Sequence, residues 1–149
     1  MTRKFFLCLL LFASSTLIFS QTAERIEWLL EQNRVSYEEA ARLVLEAADR
    51  IDAETTSEQA FGFAMENNWL PRNVAANYAA TLEGVSLLIM RAFGLKGGAL
   101  YTIFKNPHYA YRELVYKKMI EGRIGPAMYV SGDLLLFVIS RVLSSREIE

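Results

Sequence analysis

The stretch from Tyr101 to Leu143 constrains the fold most strongly. It contains two short apolar helical patterns joined by a turn-rich bridge, Gly122 to Gly132. Helices of this length are marginal alone in water, so each needs a partner to pack against. The same arrangement of two helical patterns and a bridge occurs twice more nearer the N-terminus, each time less clearly. We therefore expect an all-α fold, a compact bundle of about six short helices built from three degenerate two-helix repeats.

Residues 1–20 have the pattern of a secretory signal peptide. A short basic stretch, Arg3 and Lys4, precedes the apolar segment Phe5 to Phe12. A transmembrane anchor is the alternative, but spanning a bilayer needs about 20 apolar residues and Ser14 to Thr16 interrupt this run. The segment therefore predicts cleavage and export to the periplasm or cell envelope.

Cleavage after Ser20 leaves a mildly acidic chain, and cleavage after Ala23 is the alternative. The first site removes two basic residues and the single cysteine, leaving 14 Lys+Arg and 17 Asp+Glu. Such a chain must be held together by its core rather than by disulfides. It has no basic stripe, which argues against a nucleic-acid partner. We expect a helical domain at 24–143, with no transmembrane segment, followed by a polar tail at 144–149.

Three residues are predicted to cap apolar helices: Ser36, Thr81 and Ser131. Each is followed within three residues by an acidic side chain, which suits the positive end of a helix dipole. The helices that they open are expected at 37–51, 82–93 and 132–143. The spacing of the caps, 45 and 50 residues, fits a unit of two helices.

The first helix of each unit is expected at 24–33, 58–68 and 109–121. Ser57 is the predicted cap of the second of these, and Asn33, Asn68 and Gly122 are predicted to end them, because Asn and Gly tolerate positive φ. The predicted linkers between the first helix of each unit and the cap of its second helix differ in length. The first is almost absent, the second has about ten residues and the third about six. The segment 99–104 remains open between a helix and an extended piece.

These segments resemble the S-layer homology domain. The third unit fits best: Phe104 to Tyr111 looks like the aromatic opening of that unit, Gly122 to Gly125 like its turn, and Val130 to Asp133 like the start of its capped second helix. The second unit fits from Ser57 to Leu95, and the first is truncated to Ile26 to Ile51.

The resemblance implies a non-catalytic module of three units that binds cell-wall polysaccharide, often through an arginine after the cap and through groove residues. This sequence departs from that pattern. The residues after the three caps are Tyr37, Leu82 and Gly132, so the basic residue is absent from all three positions.

Residues that could carry catalysis or bind a metal have simpler interpretations. His108 is the only histidine and the processed chain has no cysteine, which argues against a zinc site. Glu83 and Asp133, like Glu38 and Glu39, could be imagined as an acid pair for sugar hydrolysis. Their positions just after the caps favour a capping role instead. We expect no cofactor and no catalytic residue.

Tyrosine and arginine residues near the third unit are the candidate ligand-binding surface. Aromatic faces stack on sugars or fill partner pockets, and arginine can hydrogen-bond an anionic partner. The candidate ligand-binding residues are Tyr109, Tyr111, Arg112 and Arg123, within an aromatic group that also includes Tyr101, Phe104 and Tyr116. The alternative is that the aromatic residues form core edges and the basic residues a solvated helix face.

Together these patterns predict an exported, non-catalytic cell-envelope module that binds cell-wall polysaccharide or anchors to the envelope. The first alternative is a helical partner-binding subunit of a periplasmic assembly, which would bind an envelope protein and no glycan. A small glycan-active enzyme is the second.

Overall fold

The computed structural model describes residues 23–121 and 124–147, and within them the chain forms seven helices and no strands. The predicted signal peptide, Gly122 and Arg123 lie outside these residues. The helices are α1 (23–30), α2 (Tyr37–Ala47), α3 (Ser57–Glu66), α4 (Leu82–Ala92), α5 (Ala99–Phe104), α6 (Pro107–Tyr116) and α7 (Gly132–Arg146). The all-α bundle is therefore confirmed. The segment 99–104, for which both a helix and an extended piece were possible, is a helix, α5. The described residues therefore form one helix more than the expected six.

Helix α4 forms the centre of the bundle. It packs against α2 on one side and α6 on the other, and nine of its eleven residues are buried. Its sequence is apolar nearly all round, which predicts this central position. The one buried polar residue in this helix, Ser86, donates its hydroxyl to the carbonyl oxygen of Leu82 at 2.6 Å, so it adds no unpaired group to the core.

Three backbone hydrogen bonds join the segments that precede the caps in a closed cycle, which we call the cap ring. The N–H of Val35 donates to the carbonyl of Val130 at 2.8 Å, that of Val130 to Ala80 at 2.9 Å, and that of Ala80 to Val35 at 2.8 Å. Each of the three residues supplies one donor and one acceptor, and each is almost fully buried. The starts of α2, α4 and α7 therefore meet at one point of the fold.

The second and third units have the same backbone plan, fifty residues apart. The left-handed residues Asn68 and Lys118 correspond, as do the bridge-forming residues Ala79 and Tyr129. The loops also accept hydrogen bonds at corresponding positions. The N–H of Tyr37 donates to the carbonyl of Tyr78, and the N–H of Leu82 donates to the carbonyl of Met128. The linkers before Thr81 and Ser131 are therefore equal in length, and the expectation that they differ was wrong.

The cause of that error is the end of α6. We expected this helix to continue to Glu121 and end at Gly122, but it ends at Tyr116, with Lys118 in the left-handed conformation at φ 57°. The N–H groups of Lys118 and Met119 then bond back to the carbonyls of Val115 and Leu114. Lysine carries no sequence signal for this conformation, whereas the glycine four residues later does.

Other helix boundaries differ by a few residues. Helix α2 ends at Ala47 rather than at residue 51, because Asp49 takes the left-handed conformation. Helix α3 is capped by Thr56, not Ser57, in a full capping box with Gln59. Helix α7 continues three residues beyond its expected end, to Arg146.

The three predicted caps occupy N-cap positions, but they are not chemically equal. The Ser36 hydroxyl accepts from the N–H of Glu39, and the Thr81 hydroxyl from that of Gly84. Ser131 makes no such bond. The pKa of the neighbouring Asp133 is lowered, chiefly through hydrogen bonding with the Ser131 side chain.

Among the helices of residues 23–121 and 124–147, none combines the length and the apolar character needed to cross a bilayer.

Candidate functional site

The candidate ligand-binding residues on α6 do not face one groove. Tyr109 stacks on Phe104, with ring centroids 5.4 Å apart, and Arg112 is exposed one turn further along. Tyr111 lies on another side, where its hydroxyl donates to the carbonyl of Ile124 and fastens the loop before α7. Residues three apart share a helix face but residues two apart do not. Arg123, the fourth candidate, lies outside the described residues.

The residues that follow the caps are all buried. Tyr37 and Leu82 are 2% and 1% exposed, and Gly132 lies against the carbonyl oxygen of Leu29. The Tyr37 hydroxyl is 3.0 Å from that of Thr81, so it links α2 to the cap of α4. These positions serve packing between the units.

A pocket of about 220 Å³ lies between α1, α2 and α7. Its wall is mainly apolar, and Trp28 of α1 stands at its edge with 46% of its surface exposed. We call it the α1–α2–α7 pocket. Its apolar lining residues are Ile26, Trp28, Leu29, Leu43, Ala47, Leu136 and Ile139.

Charged groups from α1 and α2 line the same pocket. Arg25 donates to the Glu46 carboxylate at 2.7 Å. Arg42 donates through one terminal nitrogen to the carbonyl of Ala53 at 3.1 Å, while its buried Nε has no hydrogen-bond partner among the described residues. Glu39 accepts from the Ser57 hydroxyl at 2.9 Å. The pocket therefore offers an aromatic face with donors and acceptors beside it.

That combination suits a small ligand with an apolar face and several hydroxyl groups. The volume is below the roughly 300–1,000 Å³ of pockets for drug-sized molecules, so it fits a group about the size of one sugar ring. An unpaired buried Nε is costly unless water or a ligand satisfies it.

A second, more open pocket of about 400 Å³ lies between the end of α4 and α5, and we call it the α4–α5 pocket. Arg91, Lys96 and Lys105 line it together with Tyr101, and its lining includes no acidic side chain. The Nε of Arg91 is buried without a partner among the described residues. Burial raises the pKa of Tyr101, and the nearby Arg91 charge opposes that rise.

The acids considered for hydrolysis lie in the first turns of three helices: Glu38 and Glu39 in α2, Glu83 in α4 and Asp133 in α7. In residues 23–121 and 124–147, no three His, Cys, Asp or Glu side chains form a group that could hold a metal ion.

Sequence reasoning missed both pockets. Arg42 and Glu46 lie outside the apolar stripe of α2, and α1 covers part of the face that they form. The signal available was Trp28, which lies beside the apolar stripe of α1 rather than in it. Which helix covers another depends on long-range packing, and the local pattern of neither helix contains that information.

Comparison of the chain with protein-family models, with curated proteins and with solved structures found no match.

Proposed function

We propose that this chain is an exported, non-catalytic module of the cell envelope that binds cell-wall glycan through the α1–α2–α7 pocket. The observation that carries the proposal is the half-exposed Trp28 beside Arg25, Arg42 and Glu46. An aromatic face packs against the C–H face of a sugar ring, and adjacent charged groups hydrogen-bond its hydroxyls.

The cap ring and the fifty-residue correspondence support the resemblance to the S-layer homology domain. These two observations bear on the architecture of the chain and do not identify its ligand. Because Tyr37, Leu82 and Gly132 are buried between units, we do not place the ligand at the positions after the caps. We place it in the α1–α2–α7 pocket because the aromatic residue there, Trp28, is half-exposed, whereas Tyr101 of the α4–α5 pocket is buried.

Sedimentation with purified cell wall tests the proposal. We expect the chain to pellet with the wall, and Trp28→Ala to weaken binding about tenfold, as loss of a stacking contact worth about 1.5 kcal/mol would. Tyr78→Ala is the matched control, because Tyr78 is an exposed aromatic residue away from the pocket. It should pellet as the unchanged protein does.

One result would reject glycan binding, and another would reject the α1–α2–α7 pocket as its site. One is a chain that stays in the supernatant while co-purifying with a protein, which would favour the partner-binding alternative. The other is equal weakening by Trp28→Ala and Tyr78→Ala, which would remove the α1–α2–α7 pocket as the site.

A further inference from the structure

We propose that α5 docks on an anionic phospholipid surface, with its apolar side chains in the interfacial region and the surrounding basic residues on lipid headgroups. The inference does not depend on the glycan pocket, which is formed by other helices.

The first observation is that α5 contributes little to the core. Tyr101 is its one buried residue. Leu100, Ile103 and Phe104 are 48%, 71% and 56% exposed. They stand three and four positions apart, so they form one stripe along the helix. A contiguous exposed apolar stripe marks an interaction surface rather than a random scatter of surface residues.

The second observation is the charge around that stripe. The whole chain carries a net charge of −1. The segment 91–118, which contains α5 and α6, nevertheless has six basic residues and one acidic residue, Glu113. The basic residues are Arg91, Lys96, Lys105, Arg112, Lys117 and Lys118. Three of them, Arg91, Lys96 and Lys105, line the α4–α5 pocket together, a basic cluster that the sequence analysis did not expect when it found no basic stripe. Such a cluster on an otherwise acidic molecule orients it toward an anionic partner.

The one acid in this segment is already engaged. Glu113 accepts from the N–H of Gly98 at 2.9 Å and so holds the start of α5 against α6. It is not part of the α4–α5 pocket, which is lined by Arg91, Lys96 and Lys105. The buried Nε of Arg91, which has no hydrogen-bond partner among residues 23–121 and 124–147, gives that pocket a donor that a headgroup phosphate can satisfy.

The composition matches a membrane surface better than a folded partner. Apolar side chains flanked by lysines are the pattern of helices that lie in the bilayer interface. Phe104 extends the stripe through its stack on Tyr109, and Arg112 stands on the same side of α6 as Tyr109. Two of the candidate ligand-binding residues thus border this surface.

The position of α5 on a bilayer can be read from a fluorescent probe. The only cysteine of the chain is Cys8, so a Cys8→Ser background allows one label at Ile103→Cys and, as control, one at Leu143→Cys on α7. With phosphatidylglycerol vesicles, we expect the label at residue 103 to shift to shorter wavelength and to be quenched by bromolipids. The label at residue 143 should do neither. Because the readout is positional, binding through residues 1–22 does not imitate it.

The charge contribution is tested by partitioning of the full chain. A basic residue near an anionic surface contributes about 1 kcal/mol, which corresponds to about fivefold in binding. Lys96→Gln with Lys105→Gln should therefore weaken partitioning about 30-fold. Arg72→Gln, which changes an exposed basic residue outside the segment, should leave it unchanged.

Three outcomes would overturn the proposal. The label at residue 103 could show no change with phosphatidylglycerol vesicles, or the same change with phosphatidylcholine vesicles. Alternatively, sedimentation velocity could show a dimer that Ile103→Asp dissociates, which would assign the stripe to a second copy of the chain. None of these results bears on Trp28 or on binding to the wall.

Discussion

At the scale of single residues, Gly132 shows how closely the units approach. A methyl group at this position would overlap the carbonyl oxygen of Leu29 in α1. The N–H of Gly132 donates to the carbonyl of Gln32 at 2.9 Å, so a backbone hydrogen bond joins the start of α7 to the segment that follows α1.

Replacing Gly132 by alanine therefore forces α1 and α7 apart. We expect Gly132→Ala to lower the free energy of unfolding by about 3 kcal/mol, the upper end for overpacking a tight contact. Gly125→Ala is the control, because a methyl group there meets no atom of residues 23–121 and 124–147 within 4 Å. Urea denaturation of both variants measures the difference, and an equal loss in the two would contradict the close contact.

Tyr101 gives the fold a pH dependence on the alkaline side. Burial raises its pKa in the folded chain above the ordinary value of 10.0. Near neutral pH the hydroxyl is protonated in both states. Above pH 10 it ionises first in the unfolded chain, so stability falls as the pH rises through the folded pKa.

We expect Tyr101→Phe to reduce this loss of stability between pH 9.5 and pH 11, as followed by thermal unfolding at each pH. Tyr116→Phe, at an exposed tyrosine on α6, is the control and should preserve the alkaline loss. An unchanged profile in Tyr101→Phe would show that other groups cause it.

At the scale of elements, four helices end in the same way but with different residues. Helices α2, α3, α4 and α6 each place the second residue after the helix in the left-handed conformation, followed by paired bonds back to the last turn. The residues in this conformation are Asp49, Asn68, Gly94 and Lys118. This way of ending a helix therefore depends on the backbone conformation and does not require one residue type.

We expect Lys118→Gly to stabilise the chain. A side chain in the left-handed region costs about 1–2 kcal/mol and the added flexibility of glycine about 0.5–1, so we expect a gain of about 0.5–1 kcal/mol. Lys117→Gly is the control, because Lys117 has φ −75° and gains nothing from glycine. Thermal melts that move in the same direction for both variants would argue against this end of α6.

The positions of the helices were largely predictable from the sequence, but the end of α6 and the packing of α1 on α2 were not. The caps Ser36 and Thr81, the buried stripe of α2 and the central place of α4 all follow from local pattern, since capping and helical periodicity act within a few residues. The end of α6 at Tyr116, with Lys118 in the left-handed conformation, and the packing of α1 over Arg42 and Glu46 do not follow from it. The first is imposed by the loop packing back onto the core, and the second by contact between helices distant in sequence.

The candidate site was predictable only in part. The aromatic character of the α5–α6 region was visible in the sequence, and Tyr109 and Arg112 border an exposed surface there. That Tyr111 instead fastens a loop depends on the position of Ile124, which periodicity along α6 cannot supply.

At the scale of the whole molecule, the cap ring makes the three units depend on one another. Each unit contributes one donor and one acceptor, so losing any unit breaks two of the three bonds. It also uncovers apolar faces of the helices that remain, because α4 is covered by both α2 and α6.

Truncation tests that dependence. We expect a chain ending at residue 104, which lacks α6, α7 and the ring position of Val130, to lose cooperative thermal unfolding. A chain ending at residue 146, at the last residue of α7, should keep it. Circular dichroism and one-dimensional NMR distinguish the two, and a cooperative melt in the shorter chain would mean that the first two units are an independent domain.

The cap ring also sets a time order for folding. Val35 and Ala80 leave the ribosome well before Val130, so the nascent chain cannot close the ring until its last helix is being made. Contacts between residues so distant in sequence slow folding, because a long loop must be ordered before they form. For a chain exported as proposed above, the three units can therefore assemble fully only after Val130 has been synthesised.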